Sequence, residues 1–248
     1  MDLANGSWEL RLGDCLDPVA GLASLPDKSV SHVICDPPYS PKVHAKQWIG
    51  ASLTEQGASR ISTAHKGLGF DALTDEVARA FAAHAARLAR RWVLAFCDLE
   101  SISKWIAWGE EAGLDYVRAC IWDKVDSAPQ FTGDRPAASA EAVMVFHRTG
   151  KKAWNGGGQR NVFRFSVNEQ KGGKPHPSTK PDALMDKLLR LFTDPGETII
   201  DPFAGSGTTG VAAIRLGRKF IGWERDPKYH AMALKRLRAA REQLELCA

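Results

Sequence analysis

Four consecutive residues, Asp36, Pro37, Pro38 and Tyr39, close the stretch VSHVICDPPY (30–39), where an apolar segment runs straight into an acid, two prolines and a flat ring. A carboxylate and a backbone carbonyl held side by side can each accept one hydrogen of an amine. The exocyclic amine of a nucleobase is a poor nucleophile, because its lone pair is delocalised into the ring. Two such acceptors favour a pyramidal nitrogen and stabilise the positive charge that develops as it attacks an electrophile. Proline fixes its own φ and restricts its predecessor, so the Pro37 carbonyl would be held without a soft loop. Tyr39 offers a face for a base taken out of a helix. For the four residues taken alone, an ordinary rigid turn with a packed tyrosine is the alternative.

A second strand end carries chemistry at IIDPFAGSGTTGVAA (199–213). Gly205 and Gly207 remove side chains where a ligand must approach the backbone, and the helix that follows presents unpaired N–H groups to an anion. The stretch lacks the Lys of a GxxxxGK[ST] phosphate loop, which disfavours nucleoside triphosphate hydrolysis, and it is not GxGxxG. Glu224 ends the next apolar run, about 20 residues on, where an acid in this topology accepts hydrogen bonds from both hydroxyls of a ribose. Asp201 for an ammonium, the helix start for a carboxylate and Glu224 for a ribose together describe S-adenosylmethionine. The plainer alternatives are a turn-forming Asp201 and a surface Glu224 opposite Arg225.

The elements that would position these residues alternate along the chain. Strand-length runs at WELRLGD, VSHVICD, WVLAFCD (92–98), 116–122, 142–147, ETIIDPF and KFIGWE alternate with helix-length stretches, the pattern of an α/β domain with a mostly parallel sheet. DEVARAFAAHAARLARR (75–91) repeats Val77, Phe81, His84 or Ala85, and Leu88 at helical spacing. SISKWIAWGEEAG is a shorter helix with a serine cap and a terminal glycine. Further helices are expected at 181–192, at 208–216 and from Pro227. Residues 40–70, with four glycines, and 149–176 have no sustained period, and long loops inside compact domains are usually functional.

Composition bounds the rest. The chain has 248 residues, 44% apolar and 25% charged, enough for a sizeable core in one large domain or two small ones. It shows no membrane-length apolar run and no signal-peptide pattern at its start, so the expectation is a cytoplasmic protein. Cys15, Cys35, Cys97, Cys120 and Cys247 are scattered without CxxC spacing and read as buried thiols rather than a disulfide framework or a zinc site. No metal is expected. Between Arg148 and Lys180 eight Lys or Arg face one acid, Glu169, a local charge of +7 that leaves −3 for the rest of a chain of net +4. Such a field suits a polyanion, with a solvated basic loop as the alternative.

With DPPY, DPFAGSGTT and the intervening HPSTKP (176–181) in view, the chain resembles the DNA amino-methyltransferases that modify adenine N6 or cytosine N4, over nearly its whole length. DPPY precedes the glycine-rich turn, which is the permuted order of the family's beta group. The resemblance implies one catalytic domain (1–248) with a Rossmann-like, circularly permuted methyltransferase fold, whose seven-stranded, mostly parallel sheet ends in an antiparallel hairpin. It implies S-adenosylmethionine as cofactor and a flipped base in double-stranded DNA as substrate.

Residue by residue, Asp36, Pro37, Pro38 and Tyr39 match the catalytic tetrapeptide. Asp201, Phe203, Ala204, Gly205, Ser206 and Gly207 match the methionine-binding turn, and Glu224 the ribose acid. Asp14 and Cys15, in LGDC, would meet the adenine ring. Ser178, Thr179 and Lys180 would line the methionine end, and Asp36 borders the cofactor. Trp223 reads as packing, or as a face near the adenosyl group.

Target recognition would fall to the short 149–176 insertion, with Arg160, Arg164, Lys171 and Lys174 on phosphates and Gln159 or an arginine at a base edge. Lys42, Lys46, Arg60 and Lys66 lie in the 40–70 loop, expected to be mobile without DNA and to close over the extruded base or the cofactor. Asp at the head of the tetrapeptide favours adenine N6, with cytosine N4 as the alternative. An RNA or protein methyltransferase and a catalytically silent DNA-binding module are the rivals. A homodimer, formed through Ile102, Trp105, Ile106 and Trp108 unless these are core, and a separate restriction endonuclease are the further partners the resemblance raises.

Overall fold

Every apolar run singled out above forms a strand. The computed structural model describes residues 7–39, 73–130, 133–167 and 179–246. In chain order these hold β1 (Trp8–Leu12), β2 (His32–Cys35), α1 (Asp75–Leu88), β3 (Trp92–Cys97), α2 (Ile102–Glu111), β4 (Asp115–Asp123), β5 (Ala140–His147), β6 (Val162–Arg164), α3 (Asp182–Phe192), β7 (Thr198–Asp201), α4 (Thr208–Arg215), β8 (Lys219–Glu224) and α5 (Pro227–Leu246). The expected 40–70 loop lies outside the described residues.

The strands form one sheet in the order β1-β8-β7-β2-β3-β5-β4-β6. Seven run the same way and β5 is antiparallel to both neighbours, giving the expected β4–β5 hairpin. β6 is an eighth strand inside a segment read from sequence as irregular. Three residues with only Phe163 buried are too short to show a period, and what forms the strand is pairing with β4 at the sheet's edge.

Side chains alternate between two cores, as the pleat requires. Val93, Ala95 and Cys97 of β3 face α1 and α2, whereas Trp92, Leu94 and Phe96 face α3, α4 and α5. With helices on both faces, β2 and β3 are buried along their entire lengths, which is why they read as continuous apolar runs.

Helix ends follow local chemistry. Thr74 caps α1 by accepting from the Val77 N–H, and Ala78, Phe81, Ala82 and Ala85 form its buried face, so Ala85 rather than His84 points inward. The helical spacing runs on to Arg91, but the helix stops at Leu88. The N–H groups of Arg90 and Arg91 bond instead to the carbonyls of Val30 and Ser31, leading into β3. Ser101 stands at the start of α2 without a side-chain cap, since a 3-10 turn (Leu99–Ser101) feeds the helix directly. Gly113 ends it at φ +80° with its N–H on the Glu110 carbonyl. Trp105 and Trp108 are buried, and Ile102 and Ile106 pack on the same cluster, so these four belong to the core. No helix among the described residues is long and apolar enough to cross a membrane.

Candidate active site

The crossovers around β2 and β7 leave in opposite directions: β2 leads through α1 to β3, while β7 leads through α4 to β8 on the other side. Their carboxyl ends therefore flank the crevice where open α/β sheets bind ligands. Asp36 follows β2 and Asp201 ends β7, so the two acids expected from sequence stand at this switch point. Glu224 ends the next strand over. The Gly13 N–H on the Glu224 carbonyl, 2.9 Å, brings Asp14 alongside.

The glycine-rich turn is held from several sides. Glu224 Oε2 accepts from the Gly205 N–H and Oε1 from the Asp226 N–H, each at 2.8 Å, so the carboxylate is oriented before any ribose arrives. Gly207 has φ +83°, and a Cβ there would stand 3.0 Å from Ala233 Cβ; the left-handed turn and the approach of α5 both call for glycine. Thr179 Oγ1 lies 3.2 Å from Ser206 Oγ, which places Thr179 against this turn. Arg236 of α5, missed in the sequence, donates to the Ser206 carbonyl and to Thr208 Oγ1. Asp201 is 2% exposed and accepts from the Phe203 N–H, and burial pushes its carboxyl up to about 7. Phe203 packs edge-on against Phe81, and Ala204 and Ser206 are buried within the turn. Asp14 accepts from the Leu16 N–H, while the Cys15 side chain turns into the core, where burial raises its thiol to about 12. Trp223 is packing: it is buried and donates to the Ala20 carbonyl.

Across the crevice lies a cluster that the sequence revealed only in part. Lys180 reaches past the methionine end, where the resemblance put it, to pair with Asp36 Oδ2 at 2.6 Å and Glu141 Oε2 at 3.0 Å, and it donates to the Tyr39 hydroxyl at 3.0 Å. Tyr39 donates in turn to Glu141 Oε2 at 2.5 Å, and Lys124 pairs with Glu141 Oε1 at 2.5 Å. The Lys180 ammonium also sits 5.1 Å from the Phe96 ring centre and 5.2 Å from that of Tyr39.

The two carboxylates behave differently. Burial and the neighbouring Glu141 push the Asp36 carboxyl up against the pull of Lys180. Burial would raise Glu141 too, but Lys180 and Lys124 hold it down at about 2. Among the described residues Asp36 Oδ1, which is buried, finds no hydrogen-bond partner. Further on in the tetrapeptide, Pro38 and Tyr39 line a cavity of about 240 Å³ with Phe96, Trp105, Trp108 and Asp98, whose two oxygens are likewise unpaired among the described residues.

The basic insertion divides between the two rims of the sheet. Arg164 ends β6 opposite Asp123, pairs with it at 3.0 Å and stays exposed on the Asp36 side. Gln159 and Arg160 are exposed on the loop approaching β6 from the opposite rim, where the Ala153 carbonyl accepts from Trp92 Nε1 at the start of β3. The structure does not bring them to Asp36. Lys42, Lys46, Arg60, Lys66, Lys171, Lys174 and Ser178 lie outside the described residues. Among the described residues no cluster of His, Cys, Asp and Glu is arranged to hold a metal ion.

Residues 30–235 match the model of the N6/N4 DNA methylase family. The chain belongs to this family. Among its relatives are the type II methyltransferases M2.DpnII of Streptococcus pneumoniae, 34% identical over 54% of this chain and 55% of the relative, and M2.LlaDCHI of Lactococcus lactis subsp. cremoris, 32% identical over 52% and 53%. The match thus spans about half the length of these relatives. The same fold occurs in an M1.HpyAVI–SAM complex, with TM-score 0.69 at 24% identity over 93% of this chain and 98% of that one. It occurs also in the cytosine-N4-specific PvuII DNA methyltransferase, with TM-score 0.71 at 19% identity over 97% and 93%. Within this chain the tetrapeptide and the glycine-rich turn face each other across one crevice; Glu141 joins them from β5 and Lys124 from the residue after β4, in stretches whose sequence carries no motif. An acid opening an otherwise apolar strand, as in AEAVMVFH, was the available signal.

Proposed function

We propose that the chain transfers the methyl group of S-adenosylmethionine to the exocyclic amine of a base extruded from duplex DNA, adenine N6 in preference to cytosine N4. The observation that carries this reading is the state of Asp36. One of its oxygens is anchored on Lys180 and the other is buried and unpaired among the described residues, while Pro38 and Tyr39 of the same tetrapeptide line a cavity with room for one heteroaromatic ring system. A buried carboxylate oxygen without a partner is costly unless a ligand supplies the donor.

The residues present fit the cofactor. Glu224 is oriented for a ribose, the N-terminus of α4 and its glycines for a carboxylate, and Asp201, a buried acid pushed up to about 7, for a cationic group that would let it ionise. The cofactor, when bound, supplies an electrophilic methyl group. Asp36 Oδ1 accepts one amine hydrogen and the Pro37 carbonyl the other, so positive charge developing on the nitrogen meets two fixed acceptors. After transfer the surplus proton leaves the nitrogen toward Asp36, whose raised proton affinity suits it to take that proton. Tyr39, fixed through its hydroxyl, bounds the base cavity with Pro38. Arg164, on the same rim, contacts the DNA backbone.

The preference for adenine rests on Asp at the head of the tetrapeptide; cytosine N4 is the alternative. The pairing of two copies and a separate endonuclease rest on the resemblance alone, and the α2 aromatics offered for pairing are spent in the core. The test is methyl transfer from labelled S-adenosylmethionine to duplex DNA. The native chain is expected to label DNA, and Asp36→Ala to lose the label while still binding DNA. Labelling of RNA or protein in place of DNA would overturn the proposal.

A further inference from the structure

Glu141 sits second in β5, opposite Trp122 of β4, 7% exposed. A carboxylate at that depth is destabilising unless charge and hydrogen bonds compensate it. It receives two ammonium groups, of Lys124 and Lys180, and a phenol, and two of these three lead to Asp36: Lys180 pairs with both acids, and Tyr39 donates to Glu141 while accepting from Lys180. Glu141 reaches none of the atoms that would react. It is the acid through which the groups contacting Asp36 are held in one arrangement.

We infer that Glu141 is a positioning residue: through Lys180 it holds the Asp36 carboxylate with Oδ1 open toward the amine, and through the Tyr39 hydroxyl it holds the ring bounding the base cavity. This rests on the proposed methyl transfer at Asp36. The Lys180 ammonium has two anionic partners to lean on, so neither claims it alone. With the charge of Glu141 removed, Lys180 would draw onto Asp36 and bind its oxygens more tightly.

Among the described residues, the charged and titratable groups facing Asp36 are Lys180 from the segment before α3, Glu141 from β5, Tyr39, Asp201 from β7, and the thiols of Cys35 and Cys97. Burial pushes both thiols up and keeps them uncharged, and Asp201 is common to native and variant chains. A change seen on removing only the Glu141 charge is therefore assignable to Glu141, acting on Asp36 as a like charge and through the Lys180 they share.

The experiment compares the native chain with Glu141→Gln, which keeps shape and an acceptor but not charge, in two measurements. In the first, single-turnover methyl transfer is followed against pH. The expected result is a roughly 10- to 100-fold lower rate, cofactor KM and DNA affinity within about twofold, and an acid limb displaced to lower pH, because the like charge that raises Asp36 is gone. In the second, the Asp36 carboxyl is titrated by carbon-13 NMR in the chain without DNA or cofactor. Its midpoint is expected to fall in Glu141→Gln whether or not the chain methylates DNA. A native rate and pH profile in the variant, or an unmoved Asp36 titration, would overturn the role of Glu141. A native chain that labels no DNA, together with a displaced titration, would overturn the methyl-transfer reading and leave the coupling of Glu141 to Asp36 standing.

Discussion

The two ends of β2 each carry a charge cluster, half-buried at the starting end and largely buried at the finishing end, about 13 Å apart along the strand, and they are built in opposite senses. At the starting end the hub is an acid. Glu197 accepts from His32 Nε2 at 2.7 Å, from the Asp194 N–H at 2.7 Å and from Arg91, which also pairs with Asp194 at 3.3 Å. At the finishing end the hub is a lysine, with acids at its periphery. The unpaired buried atoms differ accordingly. Among the described residues they are the Ser29 hydroxyl and the imidazole nitrogens His32 Nδ1 and His147 Nε2 at the starting end, and carboxylate oxygens of Asp36 and Asp98 at the finishing end. A neutral ring nitrogen forgoes one modest hydrogen bond, whereas a carboxylate oxygen forgoes a stronger, charge-assisted one. The first cluster staples the chain and the second is left waiting for a donor.

Substitutions that separate stability from chemistry would break this comparison if they failed to do so. Asp36→Ala is expected to reduce methyl transfer by about 10³-fold or more with a melting temperature at or above the native one, measured by label incorporation and thermal unfolding. Lys180→Met removes the cation that favours the Asp36 anion; it should slow transfer by about 10²-fold and move the acid limb of the pH–rate profile upward, opposite to Glu141→Gln.

Glu197→Gln tests the other end and should leave transfer unaffected while lowering stability by about 2–3 kcal/mol at neutral pH. Glu197 is held down at about 2, chiefly by His32 against the effect of burial, so its contribution is full above the ordinary carboxyl value of 4.5 and fades as pH falls toward 2. Chemical unfolding at pH 7 and pH 3 should therefore show a smaller difference between variant and native chain at the lower pH.

Asp201→Asn has the smallest expected effect on the fold, and it is a gain. With the native carboxyl raised from 3.8 to about 7, the folded chain keeps a proton that the unfolded chain has released, so native stability falls as pH rises through that window. The variant should be about 1–2 kcal/mol more stable at pH 8, no more stable at pH 4, and weaker in cofactor affinity by calorimetry.

The contrast between the ends also marks what the sequence could tell. Asp36, Asp201 and Glu224 were legible because each follows an apolar run of strand length, and the rule that ligands gather beyond strand ends converts that position into a site. Helices α3 and α5 begin within a residue of their prolines, because proline tolerates only the first turn. The partners of Lys180 were not legible. Tyr39 lies 141 residues away in the chain, and Glu141 reaches the lysine only because the β4–β5 hairpin pairs beside β3. The end of α1 and strand β6 were hidden for the same reason, since pairing with a distant segment, rather than local propensity, fixes both. Net charge was misleading in detail: the basic stretch from Arg148 to Lys180 looked like one DNA-facing patch, yet its first half packs at the starting end of β3, and among its described basic residues Arg164 stands exposed on the Asp36 side while Lys180 pairs with Asp36 itself.

The most direct test of the account is single-molecule sequencing of DNA from cells expressing the native chain or Asp36→Ala. The account predicts methylated exocyclic amines, at adenine N6, in a defined sequence context with the native chain and none with the variant. Unmodified DNA from the native chain, or the same modification from both, would contradict it.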